Sequence, residues 1–281
     1  MNEIRERYNG YRFGLNTANG KISEPIYNPF AINHVFRGLQ FIDEWSLSGS
    51  ASMLSKKLIE HGYSYESKLF TSVEELKSSC KPSEMSLTSL MYFGGYATIH
   101  KYDKGTNGLY LKIPNKSINK YLVRDYLKSK FSTSDITEFE RVAKKLHNIM
   151  TVTPTNEMGS KIGEIKKLFD NVLNHYTYEG MTSEGEFRNI MDSILKIGFN
   201  DVALEIQTKN GRIDTVITEN SRIFIIEYKY NATAFSALEQ IKEKEYYAHY
   251  LSTNLPILLF GISLRKKNKS KTRYIEISYD I

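Results

Sequence analysis

The chain has a single cysteine, Cys80, in 281 residues. That excludes an internal disulfide framework, and no Cys/His cluster at ligand spacing exists to build a zinc site. Its six histidines, His34, His61, His100, His147, His175 and His249, stand singly, so neither H-E-x-x-H nor a paired-histidine metal site is present. No stretch reaches the roughly 18 uncharged apolar residues that read as a membrane-spanning helix. The run Met1-Asn2-Glu3-Ile4-Arg5-Glu6-Arg7 is not followed by the apolar segment of a secretory signal. Internal repeats and low-complexity tracts are also missing. The expected setting is reducing and cytoplasmic. A formal net charge of +6 and a pI near 9.0 suit a nucleic-acid ligand and an ordinary soluble protein equally, so charge decides nothing by itself.

The length allows two modest domains, each with its own core. The first segment is aromatic and turn-rich, with Tyr8-Asn9-Gly10-Tyr11-Arg12-Phe13-Gly14 and then Tyr27-Asn28-Pro29-Phe30 leading into a helical pattern through Phe36. Next come a helical stretch from Ser83 to Phe93, strands over Tyr96–Tyr102 and Leu109–Ile113 around a Gly-rich turn, and a helix from Asn115. This helix, hairpin, helix unit is winged-helix-like. Lys101, Lys104, Lys112 and Lys116 would touch DNA if it reads nucleic acid, although a packing role, with the lysines simply solvated, is the preferred reading. A helix over Thr137–Met150 precedes Thr151-Val152-Thr153-Pro154-Thr155-Asn156, the best linker, which sets domains at 1–152 and 160–281.

The second part reads as a helix over Lys161–Tyr176, an amphipathic helix over Ser183–Ile197 and strands over Val202–Thr208, Arg212–Thr218 and Arg222–Tyr230. A helix over Ala234–Leu251, with Ala237, Ile241 and Ala248 inward, and strands over Pro256–Leu264 and Arg273–Tyr279 complete it. This αβββαβ order with one extra strand implies a mixed sheet covered on both faces.

The chemistry concentrates at one hairpin. If its turn centres on Asn220-Ser221, residues 219 and 222 pair, and five steps outward Asp214 faces Glu227. Lys229 lies two residues on, hence on the same side as Glu227. Two carboxylates among Ile213, Val216, Ile217, Ile223, Phe224, Ile225 and Ile226 repel each other unless a cation sits between them. A divalent metal with oxygen ligands is the natural candidate, its shell completed by main-chain carbonyls near Ile226. The competing reading is a cross-strand salt bridge to Lys229. Excess negative charge buried in apolar surroundings is costly and is usually retained for function. Metal-assisted attack of water on a phosphodiester, with Lys229 beside the nucleophile, is the chemistry such a set supports.

Gly211-Arg212-Ile213-Asp214, then Glu227-Tyr228-Lys229 thirteen residues after that aspartate, then Ala237-Leu238-Glu239-Gln240-Ile241-Lys242 and Tyr246-Tyr247 resemble the PD-(D/E)xK nuclease superfamily. The resemblance spans about 100 residues from Glu184 onward. More narrowly, it is to the nuclease-like domain at the C-terminus of bacterial AAA-ATPase-like proteins. It implies a restriction-endonuclease-like fold, Mg²⁺ (or Mn²⁺) as cofactor and DNA as substrate. It also implies a third acidic residue from the first core helix, for which Glu186 is the candidate and Glu184 a weaker one. Ser183 and Glu186 fit a capping box equally well. Gln240 matches a position that supports the site, or is a solvated helix glutamine. Tyr247, two turns along the same helix edge, would contact phosphate or merely pack. Arg212 would bind phosphate or pair with a site carboxylate. The turn Arg265 to Arg273, with Lys266, Lys267, Lys269 and Lys271, would be a phosphate clamp or a solvated tip. The Tyr8 to Gly14 and Tyr27 to Phe30 segments resemble the end of the ATPase-like region, but no G-x-x-x-x-G-K-[ST] occurs, so ATP hydrolysis is not implied. The implied rival is a non-catalytic nucleic-acid- or protein-binding module that keeps the fold. A homodimer and an ATPase encoded elsewhere are the implied partners, the chain then being a shortened or split form.

Overall fold

Glu219 pairs with Arg222 across the turn at Asn220-Ser221, and the two β-branched runs leave it as antiparallel strands. The computed structural model describes residues 2–38, 54, 69–77, 81, 84–133, 135–175, 181, 183–266 and 273–281. Two units divide at the end of the helix Lys116–Lys130, into Met1–Ser129 and Lys130–Ile281.

In the first unit the helices Asn2–Tyr8 and Pro29–Gly38 flank a short hairpin, β1 (Leu15–Asn16) and β2 (Lys21–Ile22). Then follow β3 (Leu69–Ser72), the helices Val73–Lys77 and Leu87–Phe93, β4 (Thr98–Asp103) and β5 (Gly108–Lys112). The sheet order is β3-β5-β4, so the expected hairpin β4–β5 is joined by β3, a strand that the sequence reading does not include. The helix expected from Ser83 starts only at Leu87, because the Ser86 side chain accepts the Ser89 amide and caps it there. Alternation along the strands sends Leu69, Ile99, Leu109 and Leu111 into a core with Leu90, Met91, Tyr96 and Ile118.

The strands of the second unit are β6 (Val202–Thr208), β7 (Gly211–Glu219), β8 (Arg222–Tyr230), β9 (Ile257–Lys266) and β10 (Arg273–Asp280). They form one five-stranded sheet in the order β10-β9-β8-β7-β6. All neighbours are antiparallel except β8 and β9, whose parallel pairing requires the crossover through the helix Ala234–Glu243. Thr215 and Tyr228 turn to the helix Glu184–Gly198, bonding its Asp192. Val216, Ile223, Ile225 and Leu259 turn to the opposite side and pack on Leu238 and Ile241. This mixed α/β sheet with helices on both faces is consistent with a restriction-endonuclease-like fold following a mainly helical region.

Two expectations need correcting. The segment 151–156 does not separate the units. The helix Thr137–Val152 buries Phe139, Val142, Leu146 and Ile149 and packs on the helices Met158–Asn174 and Glu184–Gly198. Buried Arg222 fastens its end by donating to the carbonyls of Met150 (3.3 Å) and Thr153 (2.7 Å). The helix expected over 234–251 also breaks. It ends at Glu243, Glu245 takes a left-handed conformation (φ 48°), and Tyr246–Thr253 continues as a 3₁₀ helix. The break turns Tyr246 into the apolar cluster of Ile213 and Ile241 and leaves Ala248 exposed, so Gln240 and Tyr247 do not share one helix edge.

Gly261 stands beside Glu227 in the parallel pair. A Cβ there would lie 2.1 Å from the Ala234 carbonyl oxygen and 2.7 Å from the Leu238 amide. Only glycine lets the Ala234–Glu243 helix approach this closely. Gly261→Ala should therefore destabilise the protein by about 1–3 kcal/mol through overpacking, read as a shifted urea midpoint. An unchanged midpoint would show that the helix does not depend on this contact.

Candidate metal centre

The β7–β8 ladder runs from Glu219↔Arg222 to Thr215↔Ile226 and stops one step before Asp214 and Glu227 would pair. The register is that of the sequence reading, and the strands part where the carboxylates stand. Asp214 bridges the gap itself, its Oδ2 accepting the Tyr228 main-chain amide at 3.0 Å. A charged acceptor there replaces a ladder carbonyl and fixes the side chain. Behind it, fully buried Asp192 accepts the Thr215 hydroxyl at 2.6 Å and the Tyr228 hydroxyl at 2.9 Å. Both strands are thus tied to one helix immediately next to the two acids.

Glu227 is 3% exposed. Its Oε1 accepts from the Gln240 side-chain amide and lies 3.5 Å from Lys229 Nζ. Its Oε2 is buried without a hydrogen bond among the described residues. Burial pushes the Glu227 carboxyl up to about 8, the nearby Asp214 charge adds to the shift, and Lys229 opposes it. A buried acid with an orphaned oxygen beside a second carboxylate is a donor pair suited to a hard divalent cation. No group of three or more His, Cys, Asp or Glu gathers as a ligand set among the described residues.

The structure therefore brings together Asp214, Glu227, Lys229 and Gln240. Other sequence candidates stand elsewhere. The Glu186 carboxylate is ion-paired with Lys130, while its amide is capped by Ser183 Oγ at 3.2 Å. Glu184 accepts the Tyr230 amide at 3.2 Å. Tyr247 packs against the cluster of Ile213, Ile241 and Tyr246. At the basic turn, Arg265 pairs with Glu276 at 3.4 Å and Arg273 lies over the Tyr230 ring. Lys266 is exposed, whereas Lys267, Lys269 and Lys271 lie outside the described residues.

Three side chains at the site escape sequence reasoning. Arg188 donates Nη1 to Asp214 Oδ1 at 3.1 Å and Nη2 to Glu205 Oε1 at 3.0 Å. Arg212, a residue the sequence singles out, reaches the same Glu205 oxygen at 2.8 Å. Glu205 itself has φ 49°, interrupting β6 between the pairs Leu204↔Thr215 and Ile206↔Ile213. A left-handed non-glycine in mid-strand costs on the order of 1–3 kcal/mol, here offset by two guanidinium contacts. In sequence, Glu205 looks like the solvated half of an alternating strand. Arg188 borders an apolar helix face, and its reach depends on the helix-to-sheet spacing. Asp192, the buried anchor, is the one with a local signal, as an acid set among Ile190, Met191, Ile194 and Leu195.

Residues 182–274 match the sequence profile of the PD-(D/E)XK nuclease superfamily. The match contains Asp214, Glu227, Lys229 and Gln240. A protein of Azotobacter chroococcum mcd 1 described as "Uncharacterized protein in vnfD 5'region" is 25% identical over 284 aligned residues, covering 97% of this chain and 52% of that protein. The chain thus spans about half the length of this relative. No solved structure matches it.

Proposed function

We propose that the C-terminal unit is a Mg²⁺- or Mn²⁺-dependent nuclease acting on DNA phosphodiesters. What carries the reading is the buried Glu227 oxygen without a hydrogen bond among the described residues, set beside Asp214 and within the same cluster as Lys229. Asp214 and Glu227 would hold the metal. When bound, the ion supplies positive charge to a phosphodiester oxygen and acidifies a water. Gln240 holds Glu227 Oε1, which leaves Oε2 for the metal. Lys229 orients the attacking water as a compact ammonium, or takes its proton as the neutral amine. Arg212, 46% exposed, is available to a backbone phosphate at the rim. A phosphate role for Tyr247 and the lysines of the basic turn belongs to the same reading. A third acidic ligand from Glu186 would require it to leave Lys130. The N-terminal ATPase-like assignment, an ATPase partner and a homodimer rest on sequence resemblance alone.

A second reading, a binding module that keeps the fold without cutting, is favoured by one observation. The Arg188 guanidinium already neutralises Asp214. Calorimetric titration with Mg²⁺ and Mn²⁺, with and without DNA, separates the two, since the binding module takes up no metal at millimolar concentration.

For the nuclease reading, Asp214→Ala, Glu227→Ala and Lys229→Ala should each slow cleavage of labelled DNA at least about 10²-fold, with circular dichroism unchanged. Intact cleavage by all three would sink it.

The Glu227 proton gives a prediction for the metal-free protein. The folded carboxyl sits above its ordinary value of 4.5, at about 8, so between those pH values the folded state holds a proton that the unfolded state has lost. This contribution to stability is complete below pH 4.5 and is lost as pH rises to about 8. In EDTA the melting temperature of the parent should fall relative to Glu227→Gln as pH rises through this window. Parallel profiles would contradict the shift.

A further inference from the structure

The first unit carries a surface that the nuclease reading does not use. Alternation along β5 buries Leu109 and Leu111 and turns Tyr110 and Lys112 outward. Phe70 pairs with Tyr110 on one side and Lys101 pairs with it on the other, so the three side chains form a row across the sheet. The Phe70 and Tyr110 ring centroids are 5.1 Å apart, and Lys101 Nζ lies 5.9 Å from the Tyr110 centroid. Phe70 is 46% exposed. Its ring lies over Gly108, where an added Cβ would fall 2.4 Å from it, so the backbone beneath holds the ring in place.

The cationic end of the row is dense. A bulge between Ile99 and Lys101 leaves exposed His100 outside the ladder. Arg12 is tied beside it, its amide donating to Thr98 Oγ1 at 2.6 Å. Lys112 pairs with Thr98, the residue that Arg12 bonds, and Lys101 follows His100 along the strand, so three cations flank one spot; burial first and then these charges hold the His100 imidazole below its usual range. Aromatic faces next to clustered positive charge match a chain that offers flat bases and phosphates alternately. A duplex hides its bases, whereas an unpaired strand presents them.

We propose that the solvent face of the β3-β5-β4 sheet binds an unpaired nucleic-acid strand. Bases stack on Phe70 and Tyr110, and phosphates lie along Lys101, Lys112 and Arg12. The site is independent of the metal centre and needs no cleavage.

Fluorescence anisotropy of the full chain in EDTA, with labelled 15-mer oligothymidylate and a 15-bp duplex as probes, tests it. Single strand should bind more tightly than duplex. Phe70→Leu, which keeps apolar cover over Gly108 but removes the π face, and Tyr110→Leu should each weaken single-strand binding about 5- to 100-fold, with unchanged melting temperature. Lys101→Glu should also weaken it and flatten its salt dependence. Phe70→Trp should retain affinity, and its added tryptophan emission should be quenched by the oligonucleotide. Binding unaffected by both leucine variants, equal affinity for duplex, or no single-strand binding at low salt would overturn the proposal. Self-association of the parent that Phe70→Leu abolishes would instead assign the face to a second copy. Asp214→Ala should bind oligothymidylate through Phe70 as the parent does, so loss of cleavage and loss of the platform are read separately.

Discussion

Two like charges held close in a mostly dry sheet are the constraint around which the C-terminal unit is arranged. Glu227 is buried, its shift is raised further by Asp214, and one of its oxygens has no hydrogen bond among the described residues. Leaving such a pair uncompensated costs several kcal/mol. The protein answers with Arg188 on Asp214, Gln240 and Lys229 on Glu227, and a Glu227 carboxyl raised above its ordinary range. A divalent cation would replace that patchwork with one ligand.

The rest of the unit supports this arrangement by fixing where the strands separate. Asp192 ties Thr215 and Tyr228 to one helix on one face. On the other, Gly261 lets the Ala234–Glu243 helix settle onto β9, which sets Gln240 over Glu227. Glu205, left-handed in mid-strand, disturbs β6 opposite Asp214 and places its carboxylate on Arg188 and Arg212. Strain, a buried polar network and a glycine contact all converge on the few residues where pairing stops.

Much of this was legible in the chain because it depends on short-range periodicity. The turn at Asn220-Ser221 set the register, and the register put Asp214 and Glu227 at the same level. Strand limits were legible for the same reason. What sequence could not supply was distance between elements. Arg188 reaches Asp214 only because of how the Glu184–Gly198 helix lies on the sheet, and Glu186 faces Lys130 rather than the acids. The continuous helix over 234–251 failed because burial of Tyr246 outweighs helical propensity at Glu245. The linker at 151–156 misled because polar, Pro-containing chain also serves as the corner between two packed helices.

The central claim, that Asp214 and Glu227 form a metal-binding pair, is tested most directly by anomalous scattering from crystals soaked in Mn²⁺. The account predicts a manganese peak bonded by oxygens of both side chains, with Glu227 Oε2 among them. No peak between the two carboxylates at millimolar Mn²⁺, with Arg188 still seated on Asp214, would contradict it.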